Sequence, residues 1–131
     1  MRGPSGSGKS DLALRLIDSG ARLVADDQTE LFESGRAIVM RAPLAIANRL
    51  EVRGIGILEV ASVAEAPLRL VLELVDAERI ERLPEPAFCR YFARDIPLLA
   101  LAPFEPSAVA KVRLFLRSLV SPPAGPILAA P

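Results

Sequence analysis

Residues 3–10 read Gly3-Pro4-Ser5-Gly6-Ser7-Gly8-Lys9-Ser10, a complete G-x-x-x-x-G-K-S phosphate-binding loop. This motif constrains the fold strongly, because it works only where backbone N–H groups and a helix N-terminus converge on one anion. Gly6 and Gly8 let the chain curl so that successive N–H groups point inward at phosphate oxygens. Lys9 reaches the β- and γ-phosphates, and the Ser10 hydroxyl takes one coordination position on Mg²⁺. Residues Gly3 to Ser10 are therefore the expected nucleotide-binding segment, with ATP and Mg²⁺ as the expected cofactors.

A helix must follow such a loop, and residues 10–19 supply one. Leu12, Leu16 and Ser19 share a side, with Ala13 and Ile17 adjacent, and Gly20 provides the stop. A buried strand should precede the loop, yet only Met1 and Arg2 stand before Gly3. The expected fold is thus α/β, a loop-bearing mixed sheet with flanking helices that lacks the strand before the loop. Either the start is truncated or misplaced, or another segment fills that slot.

Residues 22–25 (RLVA) read as a short buried strand ending at Asp26-Asp27. A carboxylate at a strand's end beside the loop can hold Mg²⁺, directly or through water, or accept the proton of an attacking hydroxyl. Further on, Glu51 and Arg53 flank Val52 and share a side if the segment is extended. They are either a surface ion pair or a metal ligand with a phosphate clamp, and the pattern alone does not choose.

The remaining chain reads as further short elements. Segments 28–32 and 36–40 form an expected hairpin, and the two glycines of 50–60 (LEVRGIGILEV) mark a turn or a close backbone approach. Segment 68–75 is an expected half-buried strand. Five prolines over 83–106 predict an extended, loop-rich stretch around Ile96–Leu101. A last helix is expected from Ser107, with Ala108, Val112, Phe115 and Leu119 inward and Arg113 and Arg117 toward its end. One domain over 1–120 and a disordered Pro- and Ala-rich tail over 121–131 complete the expected organisation.

Composition removes several chemistries. Sixteen basic residues balance sixteen acidic ones, so no overall field draws in nucleic acid or an anionic membrane. Cys89 is the single cysteine and there is no histidine, which excludes an intrachain disulfide, a cysteine metal cluster and a Ser-His-Asp triad. Cys89 reads as a small buried hydrophobe, and acid–base work falls to carboxylates and lysine. The apolar runs are short and broken by charges, and the N-terminus has no signal-peptide pattern, so a cytoplasmic protein is expected.

Three segments together carry a resemblance: GPSGSGKS at 3–10, RLVADD at 22–27 and LEVRGIGIL at 50–58. With this spacing the chain resembles the catalytic domain of the HPr kinase/phosphorylase family. RIERLPEP at 79–86 and PFEPSAVAK at 103–111 look like its short forms without the extra N-terminal domain. The resemblance implies ATP-dependent phosphorylation of a seryl residue on an HPr-like carrier, and a hexameric homo-oligomer. Lys9 and the loop would bind the triphosphate, and Ser10 with Glu51 would hold Mg²⁺, to which the strand-end position of Asp26 adds a third candidate ligand. Asp27 would accept the proton in the kinase direction and donate it in the reverse one. Arg82 is the match to the catalytic arginine, Arg53 is the candidate clamp, and Glu51–Val60 would serve both reactions.

The chain also departs from the family. It lacks the region in which members carry a histidine before the loop, and Ala21 stands where many have another. Pro103-Phe104-Glu105-Pro106-Ser107 stands near where longer members carry an Arg- and Gly-rich loop. These departures bear on the phosphorylase direction. Two rival readings stay open: a small-molecule kinase, which leaves LEVRGIGIL unexplained, and a regulatory remnant that binds nucleotide without turning it over.

Overall fold

A computed structural model describes residues 1–26, 28–43 and 48–120. Asp27 and the 121–131 tail, both singled out from the sequence, lie outside the described residues. The elements run in the order α1 (Lys9–Asp18), β1 (Glu30–Ser34), β2 (Ala37–Arg41), β3 (Arg49–Val52), β4 (Gly56–Glu59), β5 (Glu65–Pro67), β6 (Val71–Leu74), β7 (Ala87–Tyr91), β8 (Arg94–Leu101) and α2 (Ala108–Val120). The chain is mixed α/β, as expected.

The central sheet has the order β6-β8-β7. β6 and β8 run parallel, with Val71 opposite Leu98 and Leu74 opposite Leu101, and β7 and β8 run antiparallel. Both helices pack on it: Leu12 of α1 and Ala108 and Val112 of α2 bury themselves with Leu72, Leu74 and Leu101. Burying a leucine such as Leu12, fully shielded, stabilises the fold by about 1.5–3 kcal/mol. A second cluster joins Ala13 of α1 to Leu23, Leu50 and Val52 and so holds the β3–β4 hairpin against the helix. The antiparallel sheet β1-β2-β5 meets the central one through Ile38, Val71 and Ile96, with Cys89 half-buried beside them.

The strand slot before the loop holds a single paired residue. Arg2 bridges Glu73 in the parallel sense, its N–H donating to the Leu72 carbonyl (2.8 Å) while its own carbonyl accepts from Leu74 N–H (2.9 Å). No other segment takes that place among the described residues.

Four local expectations need correction. Residues 22–25 do not form a strand; Leu23 alone makes a parallel bridge to Ser62, because it is the one residue of the four buried in the core. The 83–106 stretch is largely a hairpin, with β8 central in its sheet. Its prolines bracket the strands: Pro84 and Pro86 precede β7, while Pro103 and Pro106 follow β8. Pro97 lies just ahead of Leu98, where pairing with β6 begins, so its missing N–H breaks no bond to that strand. On α2, Ala108 and Val112 are buried but Leu119 is exposed, and Leu116 packs on the core instead. Ser19 of α1 is likewise exposed. Among the described residues no helix is long and apolar enough to cross a membrane.

Candidate phosphate-binding site

Three chain segments leave the same end of the central sheet side by side. The loop departs after Arg2, residues 75–79 depart after β6, and residues 102–106 depart after β8. All three follow carboxyl ends of parallel pairings, the edge at which open α/β sheets collect ligands. A cavity of about 670 Å³ lies between them, lined by Pro4–Ser7, Leu74–Arg79 and Ala102–Pro106. Ligand pockets usually run to about 300–1,000 Å³.

The loop has the backbone its glycines allow. Gly6 and Gly8 take φ of 79° and 99°, and Gly8 caps α1 from the left-handed region. A Cβ on Gly3 would lie 2.7 Å from Ser7 Oγ, and one on Gly8 would lie 2.9 Å from Phe104 Cζ. Lys9 Nζ turns back over the loop and donates to the carbonyls of Gly3 (2.6 Å) and Pro4 (3.2 Å). The Ser7 hydroxyl is buried without a hydrogen-bond partner among the described residues. Such a donor is an unmet demand that an anion can satisfy. Burial, and after it the charges of Lys9 and Arg2, holds the Met1 amino group below its ordinary value. The Arg2 guanidinium is raised, first by its hydrogen bond to Glu73.

Asp26 connects the loop to the β3–β4 hairpin. Ser10 Oγ donates to its Oδ1 (3.3 Å), and the backbone N–H of Glu51 donates to its Oδ2 (3.2 Å). Ser10, Asp26 and Glu51, the expected metal ligands, are thus neighbours, although Glu51 is tied in through its main chain. A hydroxyl beside one carboxylate fits Mg²⁺, which keeps several waters and takes one or two carboxylates plus substrate phosphates. Among the described residues there is no cluster of three or more acidic, cysteine or histidine side chains of the sort that would hold a metal unaided.

Two expected residues stand elsewhere. Arg53 lies in the turn beyond β3, so it does not share an extended face with Glu51. That turn runs through Gly54 and Gly56, at φ of 88° and 122°, and exposes Ile55 and Ile57. Arg82 lines a second, larger cavity of about 900 Å³ with Lys111, Phe115 and Arg117, whose lining includes none of Gly3–Ser10. Size favours that cavity, but only the smaller one is lined by loop residues, Pro4 to Ser7, whose carbonyl at Pro4 accepts from Lys9. Conversely, the wall formed by Pro103–Pro106 is present in the sequence as a looser point of resemblance and as a departure from longer members, with no site role attached to it. Its position just after an apolar strand was the signal available.

The model for the family described as HPr Serine kinase C-terminal domain matches residues 1–84. The HPr kinase/phosphorylase of Leptothrix cholodnii is 44% identical over 101 residues, covering 67% of this chain and 31% of the relative. That of Exiguobacterium sibiricum is 49% identical over 61 residues, covering 46% of this chain and 20% of the relative. The chain therefore spans a third or less of these relatives' length. Among solved structures, the Hpr(Ser) kinase/phosphatase from Coxiella burnetii matches with a TM-score of 0.70 and 26% identity, over 89% of this chain and 76% of that one. From the loop through the β3–β4 hairpin to Pro84, then, this chain belongs to the HPr serine kinase C-terminal domain family.

Proposed function

We propose that this chain is an ATP- and Mg²⁺-dependent protein serine kinase that phosphorylates an HPr-like phosphocarrier in the cytoplasm and works as a homo-oligomer. The observation that carries the reading is the juxtaposition of Lys9, Ser10 and Asp26 at the carboxyl end of parallel pairings. Family membership supplies the class of reaction, and the names of its relatives supply the carrier.

The loop residues Gly3 to Ser10 bind the triphosphate through backbone N–H groups at the start of α1. Lys9 Nζ exchanges the Gly3 and Pro4 carbonyls for phosphate oxygens, so a charge held in place by the loop is ready before the ligand arrives. Ser10 and Asp26 are the residues that hold Mg²⁺, with Glu51 beside them. When bound, Mg-ATP supplies the γ-phosphoryl group and neutralises charge between the β and γ oxygens. Asp27 accepts the proton of the carrier's seryl hydroxyl. Arg82 enters from the resemblance as the catalytic arginine, and Arg53 from the pattern around Glu51 as the clamp. Transfer of this kind rests on positioning and charge more than on covalent chemistry by the protein.

The test uses γ-labelled ATP, Mg²⁺ and a purified HPr protein, with this chain and its Lys9→Ala variant. Label should pass to a seryl residue with the unaltered chain and not with the variant, whose melting temperature stays unchanged. Equal labelling by both would remove the loop from the mechanism. Nucleotide binding without transfer to any carrier would favour the regulatory remnant.

A further inference from the structure

The Pro103–Ser107 segment has no part in the function proposed above, yet it is packed directly on the loop. The Phe104 ring tip and the buried Pro103 ring both lie against Gly8, with Cζ 2.9 Å and Cγ 3.0 Å from where a Cβ would stand. Phe104 nevertheless leaves 69% of its surface exposed. One edge rests on the loop, and the residue lines the cavity. The backbone on either side of the residue is restrained. The Arg15 guanidinium, itself paired with Asp11, donates to the Pro103 carbonyl, and the prolines at 103 and 106 restrict the backbone.

Charge determines which end of a ligand belongs beside it. Beyond the loop residues the cavity is lined by Asp76, Glu78 and Glu105 against Arg79, the one cation of its lining among the described residues, and Glu105 is engaged by Lys111 at 2.7 Å. With Glu105 neutralised, Asp76 and Glu78 still outweigh Arg79, so that wall disfavours phosphate and suits the uncharged end of a nucleotide better. We propose that Phe104 is the platform on which the nucleoside base of the bound nucleotide stacks. The proposal rests on nucleotide binding by the loop and adds the residue that separates a nucleotide from a bare polyphosphate.

The experiment measures equilibrium binding of two probes with Mg²⁺, a non-hydrolysable ATP analogue and inorganic tripolyphosphate, to the unaltered chain, Phe104→Ala and Phe104→Trp. Removing a stacking ring should weaken the analogue about 10- to 100-fold, leave tripolyphosphate unchanged, and be reversed by Phe104→Trp. Thermal unfolding of each variant shows that the fold is kept. Equal loss for both probes would reduce Phe104 to a prop for the loop, and no loss for the analogue would remove it from the site. If the unaltered chain holds tripolyphosphate as tightly as the analogue, the base has no contact and the proposal fails while the loop assignment stands. If it binds neither, the loop assignment itself falls and takes the proposal with it.

Discussion

Gly8 offers a measurement in which backbone strain and packing can be separated. Gly6 and Gly8 both hold positive φ, 79° and 99°, but a Cβ at Gly6 meets nothing within 4 Å. At Gly8 it would meet Phe104 Cζ at 2.9 Å, Pro103 Cγ at 3.0 Å and Phe104 Cε1 at 3.3 Å. Placing alanine in the left-handed region costs about 1–2 kcal/mol, partly offset by about 0.4–1 kcal/mol from the stiffened unfolded chain. Gly6→Ala should therefore lose little stability. Gly8→Ala carries at least that strain, its φ of 99° lying further from the left-handed minimum, and also crowds two rings. Overpacking of that kind costs about 1–3 kcal/mol, and Pro103 is buried with its carbonyl held by Arg15, so it cannot retreat easily.

The expected difference is about 2 kcal/mol, which for a chain of this size lowers the melting temperature by roughly 6–10 °C beyond Gly6→Ala. Phe104→Ala in the Gly8→Ala background should recover part of it, because the crowding atom is then gone. The assay is thermal unfolding of the four chains without ligand. Equal melting of Gly6→Ala and Gly8→Ala would mean that Phe104 and Pro103 do not rest on the loop, and the geometry argued for both would be wrong.

Two further outcomes test the core and the metal site. Leu12→Ala empties a fully buried position where α1, α2 and the central sheet meet; it should cost about 2–5 kcal/mol in denaturant unfolding, and a smaller loss would show that the helices do not share one core. Asp26→Asn keeps the shape of the Ser10 and Glu51 neighbour but removes its charge; Mg-nucleotide affinity should fall about 10- to 100-fold while affinity measured without Mg²⁺ holds. Unchanged Mg²⁺ dependence would move the metal away from Asp26.

Legibility in the sequence followed the range of the interaction involved. The loop, α1, the β1–β2 hairpin and the turn at Gly54 and Gly56 are set by neighbours within a few positions, through φ preferences and side-chain period, and these could be read directly, whereas the strands on either side of that glycine turn could not. The 22–25 segment failed because an apolar run of four is ambiguous: only Leu23 found core partners, in α1 and the β3–β4 hairpin. The proline-rich stretch failed for a related reason. A proline forbids one hydrogen bond, not a strand, and at Pro97 the register with β6 begins one residue later. Register with a strand more than twenty residues earlier cannot be seen in a local pattern.

The site divides along the same line. Lys9 and Ser10 come from one contiguous motif, and Asp26 reaches Ser10 because a short helix and turn return the chain to the loop. Glu51 arrives with Asp26, but through a main-chain N–H that no side-chain motif encodes. Arg82 was placed by resemblance to a distant segment and lines a different cavity from the loop. Phe104 sits about a hundred positions from Gly8 and reaches it because β6 and β8 run parallel to the pairing of Arg2, so that three chain exits meet at one sheet edge. A parallel sheet assembles its site from remote segments, and the residues that shape its pocket need share no spacing with the motif that binds the phosphates. Ligand discrimination by this chain should accordingly respond to changes in the 102–106 wall that leave the loop motif untouched.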